Sequence, residues 1–186
     1  MALIKEVFAG WSGDRNKAIG AEVFALTILL RIKPGCAERL RSDIRALRDD
    51  SPFEQIGSTH FARLVVIDRL AFEGPMQNAP DTRGELLLFT AVVDGAAWTD
   101  YLPRLYGGRL QPVWDACVDA PDDAARFPGW MRENQLETCA FFWQYDATVG
   151  EARDALALRD RVRAFALANK YVTPDELRRN FRAVFR

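Results

Sequence analysis

An α+β fold assembled from two strand-helix-strand halves is what the sequence predicts, and three observations predict it. The apolar run Val23 to Lys33 ends in Pro34-Gly35 and opens directly into a charged amphipathic segment, Ala37 to Arg48. A stretch rich in Gly, Pro, Asn and Asp, Phe72 to Gly84, separates two further apolar runs. A second helical stretch then leads into a strand carrying Phe141-Phe142-Trp143-Gln144-Tyr145.

Each element follows from its pattern. Val23 to Ile32 is too uniformly apolar for a strand with one wet face, so it is expected in the middle of a sheet, covered on both sides. Leu40, Ile44 and Leu47 recur at helical spacing while Arg39, Arg41, Asp43, Arg45 and Arg48 face elsewhere, which describes a helix lying on that sheet. Ser51-Pro52 and Gly57-Ser58 break the chain before a second strand, roughly Thr59 to Leu70. Phe72 to Gly84 is a hairpin-type connection to a third strand, Glu85 to Val93.

Asp94-Gly95 turns the chain into a helical stretch from Ala96 to about Val118, split by Gly107-Gly108 and Pro112. Asp119 to Arg132 reads as a surface loop, and Glu137 to Asp146 as a fourth strand. The remaining residues are helical, with Ala155, Leu158, Val162 and Phe165 on one stripe. The last helix starts at Thr173-Pro174-Asp175-Glu176, where Thr173 is the N-cap, Pro174 fills the first helical position and Glu176 completes a capping box. The order β-α-β-β-α-β is ferredoxin-like, with a four-stranded antiparallel sheet carrying both helices on one face. The C-terminal helices or a second copy of the chain are the candidates to cover the other face.

The predicted organisation is an N-terminal extension (1–20), a ferredoxin-like α+β domain (21–148) and a C-terminal helical extension (149–186). At 186 residues, with 49% hydrophobic content, five Trp and twelve Phe, the chain can bury one substantial core. Lys and Arg total 25 against 26 Asp and Glu, so no global field draws it to nucleic acid or an anionic membrane. The first twenty residues lack the apolar region of a signal peptide, and no segment reaches the ~20 apolar residues of a membrane span. Three widely spaced cysteines, Cys36, Cys117 and Cys139, fit a reducing compartment, and a cytoplasmic location is expected.

The segment Leu30-Arg31-Ile32-Lys33-Pro34-Gly35 with the charged helix behind it resembles the first strand-helix junction of dimeric α+β-barrel proteins. Thr59-His60-Phe61-Ala62-Arg63 and Leu87-Leu88-Phe89-Thr90 with Asp94-Gly95 are similar to bacterial proteins of that fold. The superfamily includes cofactor-independent monooxygenases, polyketide cyclases, haem enzymes and ligand-sensing modules. The resemblance therefore implies an architecture, a homodimer and a pocket between sheet and helices, and leaves the reaction open. No catalytic residue is carried over from it.

His60 is the only histidine, which excludes sites needing two, among them His-based zinc centres and the facial triad of non-haem iron. A single histidine can still serve as general base or haem ligand, and a structural histidine at the sheet end is the competing reading. Haem-ligating histidines in the resembling families sit on helices, whereas this one starts a strand. Arg63 and Asp68 lie on opposite faces of the second strand. Arg63 could orient a carboxylate or enolate, or simply form an ion pair. Trp98 and Tyr101 on the second helical stretch, with Trp143 and Tyr145 on the fourth strand, could wall a pocket for a flat apolar molecule, or could be plain core. Cys36, at a helix start, is the one thiol with a cue for reactivity.

The function expected from these residues is a metal-free enzyme, without cofactor, of oxygenation or cyclisation type, acting on a small conjugated or aromatic substrate. Arg63 would polarise a carbonyl, His60 or Asp68 would move a proton, and Trp98, Tyr101, Trp143 and Tyr145 would hold the substrate. The alternative is a non-catalytic ligand-binding or protein-assembly module whose C-terminal helices engage a partner through Leu177, Phe181, Val184 and Phe185. A haem protein using His60 is the third reading.

Overall fold

The computed structural model describes residues 23–68, 84–95, 98–138, 141–145 and 147–185, with the backbone alone for Trp98 and Thr99. Among the described residues it is an α+β chain with one three-stranded antiparallel sheet and six α-helices. The strands are β1 (Val23–Arg31), β2 (Thr59–Ile67) and β3 (Leu86–Asp94), in the spatial order β1-β3-β2. The helices are α1 (Ala37–Ala46), α2 (Trp98–Arg104), α3 (Gln111–Asp115), α4 (Phe127–Glu133), α5 (Val149–Ala168) and α6 (Pro174–Val184). The chain divides into two compact units between Asp146 and Ala147. The connection Phe72 to Gly84 lies almost wholly outside the described residues, as do the first 22.

The centre of the sheet is β3, not β1 as expected from hydropathy. Leu87, Phe89, Ala91 and Val93 alternate along β3 as fully buried positions, because that strand pairs on both edges. On the same face they meet Leu30, Ile28, Leu26 and Phe24 of β1, and Val66, Leu64 and Ala62 of β2. Helices α1 to α4 close over this face with Leu40, Tyr101, Leu102, Trp114, Phe127 and Met131, none more than 1% exposed. Trp114 meets both Phe89 and Phe127 by ring contact, and its buried Nε1–H donates to Leu105 O at 2.7 Å. The uniform apolarity of β1 has another cause than a central place. Its outer edge is lined by two isolated bridges, Ile28 to Gln135 and Ile32 to Cys117. Here Leu29 N donates to Asn134 O, Leu136 N to Thr27 O and Val118 N to Arg31 O.

The expected fourth strand, Glu137 to Asp146, is not found among the described residues. Phe142 holds an isolated bridge position, Cys139, Ala140 and Asp146 lie outside the described residues, and β1 is flanked instead by the short segment around Gln135. Aromatic content raises strand propensity, but propensity yields to packing, and Phe142 and Tyr145 remain exposed. The expected loop Asp119 to Arg132 also differs, for it contains α4. Phe127 and Met131, one helical turn apart, both reach the core, and Pro128 sits in the first turn where a proline is tolerated.

The junction after β1 and the helical pieces behave as their residues dictate. Gly35 adopts φ 77°, a left-handed conformation that suits glycine, so the strand can turn into α1. The second helical stretch breaks at Gly107 (φ 85°) and Gly108 (φ 53°), leaving α2 and α3. Arg109 in that break donates to Ala46 O and pairs with Asp50 at 2.6 Å, supplying a cation at the carbonyl end of α1.

In the C-terminal unit, Thr173 accepts from Glu176 N, and the Glu176 carboxylate accepts in return from Thr173 N, the capping box expected there. Thr148 and Glu151 make a second one at the start of α5. Phe165 of α5 packs edge-on against Phe181 and Phe185, and Arg161 donates to Val184 O. No helix among the described residues is long and apolar enough to cross a membrane.

Candidate functional site

The strand register leaves a second face on the sheet, opposite the helices. Its rows run across three strands: Ala25, Val92 and Phe61; then Thr27, Thr90 and Arg63; then Leu29, Leu88 and Val65. This face grades from buried at Ala25 to open at Phe61, which is 48% exposed, and Arg63. Across it a polar row of two threonines and an arginine lies between two apolar rows.

At one end of the face, β2 begins where β3 ends, because the two strands are antiparallel neighbours. The register slips between Thr59 and Phe61, so His60 is the extra residue of a β-bulge. A bulge re-aims the side chain it carries, and His60 Nε2 comes to 2.6 Å from Asp94 Oδ1. Both side chains are largely withdrawn from solvent, at 11% and 20% exposure. An ionised carboxylate can only accept, so the neutral imidazole places its proton on Nε2 and leaves a lone pair on Nδ1. Nδ1 has no hydrogen-bond partner among the described residues.

One aromatic side chain meets the imidazole, and two more meet that ring. The Trp143 ring lies 5.3 Å from the imidazole, with Tyr145 and Phe141 at 6.0 and 6.2 Å from Trp143. Trp143 Nε1 is fully withdrawn from water and finds no acceptor among the described residues. A buried donor left unpaired costs about 1–3 kcal/mol. On the core side of the bulge, Thr59 Oγ1 donates to the Tyr101 hydroxyl at 3.3 Å. Burial pushes the Tyr101 phenol up to about 12, against a smaller opposing effect of the Thr59 hydrogen bond. Tyr101 therefore stays protonated at any physiological pH.

The candidate residues read from the sequence are thus sorted by position. His60 and Trp143 come together, while Tyr145 is exposed and meets only the Trp143 ring among the described residues. Arg63 lies on the sheet face three residues along β2 from His60. Tyr101 is core, 1% exposed, and touches the group only through Thr59. The side chain of Trp98 lies outside the described residues. Asp68 follows the opposite end of β2, about 26 Å from His60 at strand rise, and is engaged by Arg41 at 2.7 Å. Helix α1 turns Asp68 into a structural partner, and Asp94 takes the position beside the histidine. In the sequence Asp94 shows itself only as part of the Asp94-Gly95 turn. The signal that finds it is register: in an antiparallel β2–β3 pair the last residue of the second strand lies beside the first residues of the first.

Elsewhere, Cys117 is buried beneath the β1–α1 junction and its thiol is pushed up to about 12, chiefly by burial, so it behaves as a small apolar residue. No group of three or more His, Cys, Asp or Glu side chains among the described residues is placed to hold a metal ion. No protein-family model, curated protein or solved structure is matched by this chain.

Proposed function

We propose that the chain is a small-molecule enzyme, working without a metal, in which His60 takes a proton from a conjugated or aromatic substrate held against Trp143 and Tyr145. The single observation that carries this reading is the 2.6 Å contact of His60 Nε2 with Asp94, beside an indole ring. In this arrangement Asp94 orients the imidazole and stabilises the imidazolium formed when Nδ1 accepts the proton, and the partial burial of both groups beside Trp143 strengthens that attraction. The anion left on the substrate is delocalised, and it can close on an electrophilic carbon of the same molecule or react with dioxygen.

The scaffold belongs to this reading as well. We infer a ferredoxin-like arrangement in which the place of a fourth strand beside β1 is held by the segment around Gln135; the order β1-β3-β2 and the bridge to Ile28 support it. A homodimer and a cytoplasmic location are part of the same proposal.

The test is proton exchange. Deuterium incorporation into a panel of 1,3-diketones and polyphenols, followed by mass spectrometry, is expected to be accelerated by the wild-type chain and abolished by His60→Gln. Equal exchange with both proteins overturns the reading.

A second reading rests on a separate observation. In the C-terminal unit Leu177, Phe181 and Val184 are each at least 40% exposed, and Tyr171 is 87% exposed, a surface suited to a protein partner. A chain ending at Asn169 that keeps its fold but loses association would favour an assembly module.

A further inference from the structure

The polar row on the open sheet face bears on what the His60 site receives, and the inference rests on the proton-transfer reading above. Arg63 is exposed and makes no hydrogen bond or ion pair among the described residues. Its cross-strand neighbour is Thr90, whose own neighbour on β1 is Thr27, so two hydroxyls and a guanidinium share one row. Apolar rows flank it, which leaves this the only polar band between Leu88 and Val92 among the described residues. A guanidinium presents paired donors matched to a carboxylate, and a neighbouring hydroxyl can supply another.

Between Arg63 and His60 the chain places Phe61, on the same face, 48% exposed. Three strand residues span about 10 Å. An elongated aromatic acid fits that sequence of surfaces: carboxylate at Arg63 and Thr90, ring across Phe61 and Val92, far end at His60 Nδ1 and Trp143. We infer that the substrate is an aromatic or conjugated carboxylate, anchored by Arg63 and carrying at its opposite end the proton that His60 removes. A neutral molecule of the same shape would leave the guanidinium unmatched, so the row acts as a selector for acids.

The chain has one histidine, and its imidazole signals in an NMR spectrum therefore report this site without assignment. The probe is 4-hydroxycinnamate, whose phenol lies at the far end from its carboxylate, with 4-hydroxycinnamamide as the neutral control. The acid is expected to shift the His60 signals saturably, with the amide at least about tenfold weaker. Arg63→Gln should bring the acid down to the level of the amide, and Arg63→Lys should restore part of the difference. Because Arg63 is exposed and has no polar partner among the described residues, both variants are expected to keep the wild-type melting temperature. Equal binding of acid and amide to the wild type overturns the carboxylate inference and leaves the proton-transfer reading standing. No response of His60 to either compound overturns both.

Discussion

His60 Nε2 stands 2.6 Å from Asp94 Oδ1, across the pair of strands that also carries the bulge at Thr59 and Phe61. The two residues are 34 positions apart in the chain and meet because β2 and β3 are antiparallel neighbours. An extra residue in β2 changes the direction of one side chain, and the pairing depends on it.

Replacing Asp94 by Asn keeps the size of the side chain and removes the obligatory acceptor. Nitrogen-15 spectra of the neutral imidazole are expected to show the proton on Nε2 in the wild type and a mixed population in Asp94→Asn. The variant should lose about 1–2 kcal/mol of stability in urea unfolding, the worth of one charge-assisted hydrogen bond that is partly exposed. A wild-type imidazole protonated on Nδ1 would contradict the assignment of Nδ1 as the base.

Trp114 tests the core beneath the sheet. Trp114→Phe fills most of the volume but strands the Leu105 carbonyl, which now accepts from Trp114 Nε1 at 2.7 Å. A loss of about 1–3 kcal/mol is expected from the unpaired carbonyl. Trp114→Ala adds a cavity and should cost about 3–5 kcal/mol. Equal urea midpoints for wild type and Trp114→Phe would show that this hydrogen bond carries little weight.

Alkaline pH should unfold the protein through two buried acids. Burial raises Tyr101 from 10.0 and Cys117 from 9.0, each to about 12. The folded state therefore holds these protons where the unfolded chain has released them. Their contribution is complete below pH 9 and falls as the pH climbs toward 12, with on the order of 3 kcal/mol at stake for Tyr101 and about 4 kcal/mol for Cys117. Urea midpoints taken from pH 8 to 11 should fall, and Tyr101→Phe should flatten the upper part of that slope. An unchanged slope in Tyr101→Phe would remove the tyrosine from the account.

Acid should loosen the C-terminal helices before the sheet. Glu176 and Glu151 are held below their ordinary 4.5 by backbone and side-chain hydrogen bonds from Thr173 and Thr148. That stabilisation is present above about pH 4.5 and disappears as the pH falls through the lowered values. Hydrogen exchange in the first turns of α5 and α6 is expected to quicken at pH 3 relative to pH 6. Thr173→Ala should show the faster exchange in α6 at both pH values, and protection equal to wild type would argue against the cap.

Much of the fold could be read from residue order alone, and the reasons are local. Pro34-Gly35 ends β1 because one residue fixes its own φ and the next tolerates a positive one. Thr173-Pro174-Asp175-Glu176 starts α6 because each side chain answers a free amide within three residues. The helix over Phe127–Glu133 is hard to read from sequence because only two of its side chains, Phe127 and Met131, are fully buried, too few to show a period. The aromatic residues of Glu137 to Asp146 predict a strand, but that preference depends on packing, and Phe142 and Tyr145 stay exposed.

What the sequence by itself determined is a set of short-range decisions: the end of β1 at Pro34-Gly35, the capped start of α6, the break at Gly107-Gly108, and the single histidine that narrows the chemistry. Those depend on backbone freedom, caps and the alternation of apolar side chains, all acting over a few residues. Only the tertiary structure decided that β3 is central, that Asp68 answers Arg41, and that Asp94 stands beside His60. Strand order and register are settled by burying one whole face of the sheet at once, and that is a property of residues far apart in the chain.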